Sequence, residues 1–177
     1  MSDRPANIHI AWATEREAPV ILDLIRALAE YERLTHTVTA TEEQLRRTLF
    51  GERPCAEALL ASMEGEHVGF AVFFTNYSTF LARPGIYLED LFVRPHARGK
   101  GIGAALLASV ARIAVERGCA RMEWSVLNWN ESSIEFYKKL GAAPMNEWTI
   151  YRLAAPGIED LASRFPASFS LLRSSRR

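Results

Sequence analysis

Residues 7–13, NIHIAWA, alternate apolar and polar positions, the period of a half-buried strand. The period lengthens at 18–32, APVILDLIRALAEYE, where apolar residues recur at three- and four-residue spacing and predict an amphipathic helix. TEEQLRRTLFG (41–51) opens with a capping box from Thr41 to Gln44 and closes on Gly51, which predicts a second helix. AEALLASME and HVGFAVFFTNY flank Gly65 and Glu66 as the arms of a hairpin. GIYLEDLFVRP (85–95) predicts a strand stopped by Pro95; if regular, it places Glu89 and Asp90 on opposite faces. From Gly101 to Arg117 the residues Ile102, Leu106, Val110 and Ile113 form a helical stripe, with Gly118 as its stop. ARMEWSVLN (120–128) predicts a strand, and NESSIEFYKKLG (130–141) a short helix capped by Asn130. EWTIYRL (147–153) predicts a final strand. The order gives a mixed α/β chain, with strand–helix–strand–helix–strand in its second half.

No repeat or linker interrupts this order, so residues 1–177 are expected to form one domain, with a core of about 7–153 and an extension at 154–177. The terminal SFSLLRSSRR is basic and serine-rich and is expected to fray. Lysine plus arginine (21) balances aspartate plus glutamate (21), so no net field favours nucleic acid or an acidic membrane, and charge recognition must be local. MSDRPANIHIAW has no basic segment followed by an apolar stretch, and the apolar runs are too short for a bilayer. A cytoplasmic protein without membrane contact is therefore expected. Cys55 and Cys119 form no CxxC pair and predict reduced, mostly buried thiols. His9, His36, His67 and His96 show no metal-ligand spacing, so no metal is expected.

The chemistry concentrates in HARGKGIGAALL (96–107), where a glycine loop follows the strand at 85–95 and opens a helix. A first helical turn carries unpaired N–H groups and the positive end of the helix dipole. Glycines there let a phosphate approach the backbone, and Arg98 and Lys100 add charge, with Arg94 and His96 close in sequence. The loop is neither GxxxxGK[ST], since no hydroxyl follows Lys100, nor GxGxxG, since residue 104 is alanine. From spacing alone, a pyrophosphate cradle and a tight solvated turn both remain open.

Two motifs together distinguish these readings. VRPHARGKGIGAALL closely resembles the acetyl-CoA loop of the GCN5-related N-acetyltransferase (GNAT) superfamily, Q/R-x-x-G-x-G/A, filled by Arg98, Gly101 and Gly103. NWNESSIEFYKKLGA (128–142) resembles the superfamily's later motif, an asparagine-capped helix carrying phenylalanine, tyrosine and a final glycine. YLEDLFV, LIRALAEYE and FGERP narrow the likeness to the diamine (spermidine/spermine and thialysine) N-acetyltransferases, over roughly residues 7–153. This resemblance implies a mostly antiparallel twisted sheet with a parallel pair splayed at the acetyl-CoA site and helices on both faces.

By the same resemblance, acetyl-CoA is held by residues 98–104 (Arg98, Gly99, Lys100, Gly101, Ile102, Gly103, Ala104), by the backbone of Leu91, Phe92 and Val93, and by Asn130 and Ser133. Glu89 holds the amine and serves as base: an aliphatic ammonium with a pKa of about 10.4 must lose a proton before it attacks. Tyr137 is the acid that protonates the departing thiolate, a phenol of pKa about 10 being a suitable donor. Tyr31, Glu32, Glu89, Glu123, Trp124, Ser125 and Glu147 would line an amine channel, and a homodimer is expected by analogy. Taken singly, Tyr137 also fits a helix aromatic in the core, Asn130 a plain N-cap, and Glu32 and Glu147 surface charge. The tryptophan in EWS (123–125) and the short turn before EWTIYRL depart from the diamine pattern on the substrate side. The expected activity is acetylation of a small diamine, polyamine or lysine-like amine. The alternatives are another amine (an amino acid, an aminoglycoside or a protein) or an acyl-CoA-binding module without turnover.

Overall fold

A computed structural model describes residues 7–164 of the chain. The chain divides into two compact units, one up to Leu127 and one from Asn128 onward.

In the first unit, β1 (Ile8–Trp12), α1 (Ala18–Tyr31) and α2 (Glu42–Phe50) precede the hairpin β2 (Glu57–Met63) and β3 (Glu66–Ser78). Then follow β4 (Arg83–Val93), α3 (Ile102–Glu116) and the short β5 (Met122–Trp124). The five strands stand in chain order, antiparallel from β1 to β4, with β4 and β5 parallel. A parallel neighbour requires a crossover, and α3 supplies it.

The sheet is covered on both faces. Ile21 and Leu24 of α1 form a buried cluster with Ala58, Leu60, Phe70, Val72 and Phe92. On the other face, Leu106 of α3 approaches Gly69 closely, and Ile102, Val110 and Ile113 of the predicted stripe are buried. Local signals set the helix ends as expected. Thr41 and Gln44 complete the capping box of α2. α3 ends in a Schellman motif, with Gly118 at φ 65°, its N–H on Val115 and the Cys119 N–H on Ala114.

Three expectations change. The hairpin turns on Glu64 and Gly65, both at positive φ, one residue earlier than the pattern suggested. The strand predicted at 120–128 shortens to Met122–Trp124, because it pairs only with Ile86–Leu88 of β4. Cys55 is exposed and Cys119 half-buried; both lie in turns that follow helices, outside the apolar stripes that would bury them.

In the second unit, α4 (Glu131–Lys139) starts on Asn130 and ends in another Schellman motif: the Ala142 N–H bonds Tyr137 and the Gly141 N–H bonds Lys138. The predicted strand at 147–153 is absent. Its apolar residues stay in water (Trp148 71%, Ile150 71% and Tyr151 92% exposed), and an alternating pattern becomes a strand only where a neighbour takes its hydrogen bonds. α5 (Ala155–Ser163), with Pro156 in its first turn, was not foreseen. The frayed tail expected at SFSLLRSSRR lies outside the described residues.

Candidate active site

The candidate site of the first unit begins at an irregularity in β4. Val72 pairs with Asp90 and Phe73 with Leu88, so Glu89 is an extra residue without a partner on β3: a β-bulge. Directly opposed residues share a face. Val72 belongs to the cluster packed on α1, so Asp90 faces α1, and Phe70 and Phe92 meet there edge to face at 6.5 Å. The expectation that Asp90 turns away from Glu89 is thereby corrected, because the bulge breaks the regular alternation on which it rested. A sequence signal existed: two consecutive carboxylates between Leu88 and Leu91 fit no period of two.

The bulge gathers three acids. Glu32, the residue that follows α1, is half-buried, and burial raises its carboxyl above the usual range. Asp90 is raised to about 7, first by burial and then by the charges of Glu89 and Glu32. Glu89 itself is exposed. A half-dehydrated acidic patch of this kind gains by receiving a cation.

Beside it, the glycine loop has the form expected of an anion cradle. Gly99 and Gly101 lie at φ 76° and 80°, a left-handed conformation that disfavours any Cβ. Gly101 is the N-cap of α3 and provides no side-chain cap, so the first-turn N–H groups at Ile102, Gly103 and Ala104 point out of the helix end unsatisfied by a cap. β5 stops at Trp124, which leaves Glu89, Leu91, Phe92 and Val93 without a ladder on that side of β4 among the described residues.

The basic side chains near the loop are engaged within the chain. Arg94 pairs with Asp23 of α1 and lines a cleft with Arg26, Glu30 and Thr35, and His96 lies 3.6 Å from Glu66. Lys100 sets its Nζ 3.4 Å from the Met63 sulfur. Arg98 donates from Nε to the Val93 carbonyl at 2.9 Å, and its guanidinium lies 4.3 Å from the ring centroid of Tyr31 and 5.7 Å from that of Phe92. Tyr31 is thus brought to the loop by a contact that sequence spacing could not have shown.

Glu123, Trp124 and Ser125, expected in the amine channel, lie on β5 and just after it. Glu123 accepts from Asn76 Nδ2 at 2.9 Å and pairs with Arg121 at 2.9 Å, tying β3 to β5. Gly85 makes room for this tie, since a Cβ there would stand 2.4 Å from Asn76 Oδ1. Ser125 shares a 2.9 Å hydrogen bond with Tyr87, and Trp124 is half-buried opposite Leu88.

In the second unit, buried Asn130 caps α4: its Oδ1 accepts from the Ser133 N–H at 3.3 Å and from the Ser132 hydroxyl at 3.1 Å. Tyr137 is half-buried, its ring 5.2 Å from that of Phe136, and Glu147 is exposed. Among the described residues no group of three or more histidine, cysteine or acidic side chains is placed to hold a metal ion, and no helix is long and apolar enough to cross a membrane.

Known proteins resemble this chain over most of its length. Residues 21–142 match the acetyltransferase (GNAT) family. The chain is 39% identical over 170 residues to the thialysine N-epsilon-acetyltransferase of Bos taurus, covering 90% of this chain and 99% of that protein. It is 33% identical over 195 residues to the L-ornithine N5-acetyltransferase of Arabidopsis thaliana, covering 85% and 86%. An integron cassette protein from the mobile metagenome of V. cholerae superposes with a TM-score of 0.74 at 28% identity, over 88% of this chain and 97% of that one. The sheet order, the parallel pair and both motifs agree with these matches: the chain belongs to the acetyltransferase (GNAT) family and is an N-acetyltransferase.

Proposed function

We propose that the chain transfers the acetyl group of acetyl-CoA to a primary amine of a small diamine, polyamine or lysine-like compound. The observation that carries the choice of a cationic amine is the β4 bulge, which gathers Glu32, Glu89 and Asp90. The names of the bovine and plant relatives, for thialysine and ornithine, support the same class of substrate.

The residues present fit acetyl-CoA. The uncapped first turn of α3, with glycines at positive φ behind it, suits a pyrophosphate, and Arg98 and Lys100 supply countercharge. The free side of β4 at Leu91, Phe92 and Val93 offers backbone groups to an extended arm. When bound, acetyl-CoA supplies the thioester that donates the acetyl group.

The chain's residues then have separable tasks. The acidic patch holds the ammonium, and Glu89, exposed at the bulge, takes its proton directly or through water. The freed amine forms the C–N bond as the C–S bond breaks. Tyr137 gives its phenolic proton to the departing sulfur, a role that rests on the sequence motif, as do the cofactor contacts of Asn130 and Ser133. The nitrogen, cationic once the C–N bond has formed, gives its second proton to the Tyr137 phenolate, directly or through water, and Glu89 returns its proton to solvent, so that one proton is released per turnover.

Free-thiol release from acetyl-CoA, followed with putrescine, spermidine, spermine, lysine, thialysine, ornithine, an aminoglycoside and a peptide, tests this reading. Release dependent on a small cation supports it. Background release with every amine, while acetyl-CoA still binds, overturns it in favour of an amine outside the panel or a non-catalytic module. Tyr137→Phe should leave acetyl-CoA binding intact and lower kcat by about a hundredfold or more.

A further inference from the structure

We infer that Arg98 couples the two sites: its guanidinium holds the aromatic face of Tyr31 and Phe92, and yields that face to a substrate ammonium when a pyrophosphate draws it to the start of α3. This rests on the proposed reading of the loop as a cofactor site and of the acidic patch as an amine site.

The face is a cation seat by its chemistry. An aromatic ring attracts a cation centred within about 6 Å of its centroid, and Arg98 meets that condition over both rings. Glu32 follows Tyr31 directly, and its charge is felt at Asp90. Asp90 stands two residues from Phe92 on the α1 face of β4, so a cation over the two rings lies on the face that carries one of the acids proposed to receive an alkylammonium. An arginine and an ammonium on a methylene stem satisfy this surface in the same way, so they compete for it.

The position of Arg98 in the chain lets it leave. It is exposed, its backbone is extended at φ −68° and ψ 163°, and Gly99 at φ 76° follows it in the loop that leads to α3. Arg94 is paired with Asp23, and Lys100 points to Met63, so Arg98 is the loop cation that touches the aromatic face. A pyrophosphate at the N-terminus of α3 offers a guanidinium paired, charge-assisted hydrogen bonds, stronger than a ring face and one backbone carbonyl. Each cofactor molecule bound thus uncovers a seat for the amine. Binding linkage is reciprocal, so the amine in turn tightens the cofactor.

Calorimetry with spermidine as the probe, with and without saturating coenzyme A, reads the coupling without turnover. If Arg98 covers the seat about nine-tenths of the time, coenzyme A should tighten spermidine binding about tenfold. Arg98→Ala should bind spermidine alone about as tightly as the coenzyme A complex of the natural protein does. It should also bind coenzyme A more weakly and show no coupling. Tyr31→Leu should weaken spermidine in both states. Equal spermidine affinity with and without coenzyme A, or no gain in Arg98→Ala, would overturn the inference.

A second arm needs no amine. The Arg98 Nε–H resonance, set by the Tyr31 ring and the Val93 carbonyl, should shift when coenzyme A is added and lose its ring contribution in Tyr31→Leu. A resonance that does not move with coenzyme A refutes the coupling even if acetylation is established. A resonance that moves while no amine is acetylated supports the release of Arg98 and places the failure in the choice of substrate.

Discussion

Asp90 gives the sharpest physical test of the bulge. Its carboxyl is held at about 7 against an ordinary 3.8, first by burial and then by Glu89 and Glu32. The sign follows from proton counting. Between these two values the folded chain binds more protons at this position than the unfolded chain does, so stability falls as pH rises through the window and levels off above it. At about 1.4 kcal/mol per pH unit, a gap of about three units makes the full penalty of ionised Asp90 about 4 kcal/mol. Asp90→Asn keeps the shape and removes the charge. Urea unfolding of both proteins across about pH 3.5 to 8.5 should show a difference that grows in favour of the variant and saturates near pH 7, at about 2–4 kcal/mol. Subtracting the two curves cancels groups that titrate alike in both proteins. A difference that stays flat with pH would refute the placement of Asp90 on the α1 face beside the other acids.

Other expected outcomes address separate parts of the structure. Gly85→Ala would drive a Cβ against Asn76 Oδ1; it should cost about 1–3 kcal/mol, read as a lower Tm, and loosen the Asn76–Glu123 tie. Phe70→Ala, deep between α1 and the sheet, should cost about 3–5 kcal/mol in denaturant unfolding. Gly101→Ala meets no steric obstacle but must hold φ 80°; it should cost about 1 kcal/mol of stability and weaken coenzyme A binding in calorimetry.

What could be read from the sequence follows the range of the forces involved. Helices α1, α2, α3 and α4 show in the sequence because stripes, caps and stop glycines are local, and the Thr41 box and the Gly118 and Gly141 stops form as their neighbours dictate. Strands depend on partners distant in sequence. EWTIYRL alternates as a strand should, yet its apolar side chains remain exposed, while MEW becomes one because Ile86, Tyr87 and Leu88 lie beside it. The glycine loop could be read because its geometry needs only φ > 0 and an uncapped helix end. The destinations of its cations could not, because Asp23, Met63 and Tyr31 reach them only through the fold.

The bulge at Glu89 joins these two levels. One residue inserted in β4 moves Leu88 and Phe92, which share a parity in the sequence, onto opposite faces of the sheet. It thereby turns Asp90 toward α1 and leaves Glu89 outside the β3 register at the edge that β5 does not cover. Deleting Glu89 would keep Asp90 opposite Val72 and Leu88 opposite Phe73 while it closes the bulge, and so would remove the exposed acid and the irregularity together. Glu89→Gln, in contrast, keeps the bulge and removes only the charge. If Glu89 is the base, Gln should lower kcat by about a hundredfold or more while the protein unfolds with the same cooperativity. If the patch acts only through its total charge, Glu89→Gln and Glu32→Gln should raise KM to a similar extent and spare kcat. The ratio of the two effects therefore separates proton transfer from simple attraction of the cation, and a kcat unchanged in Glu89→Gln would assign the proton elsewhere.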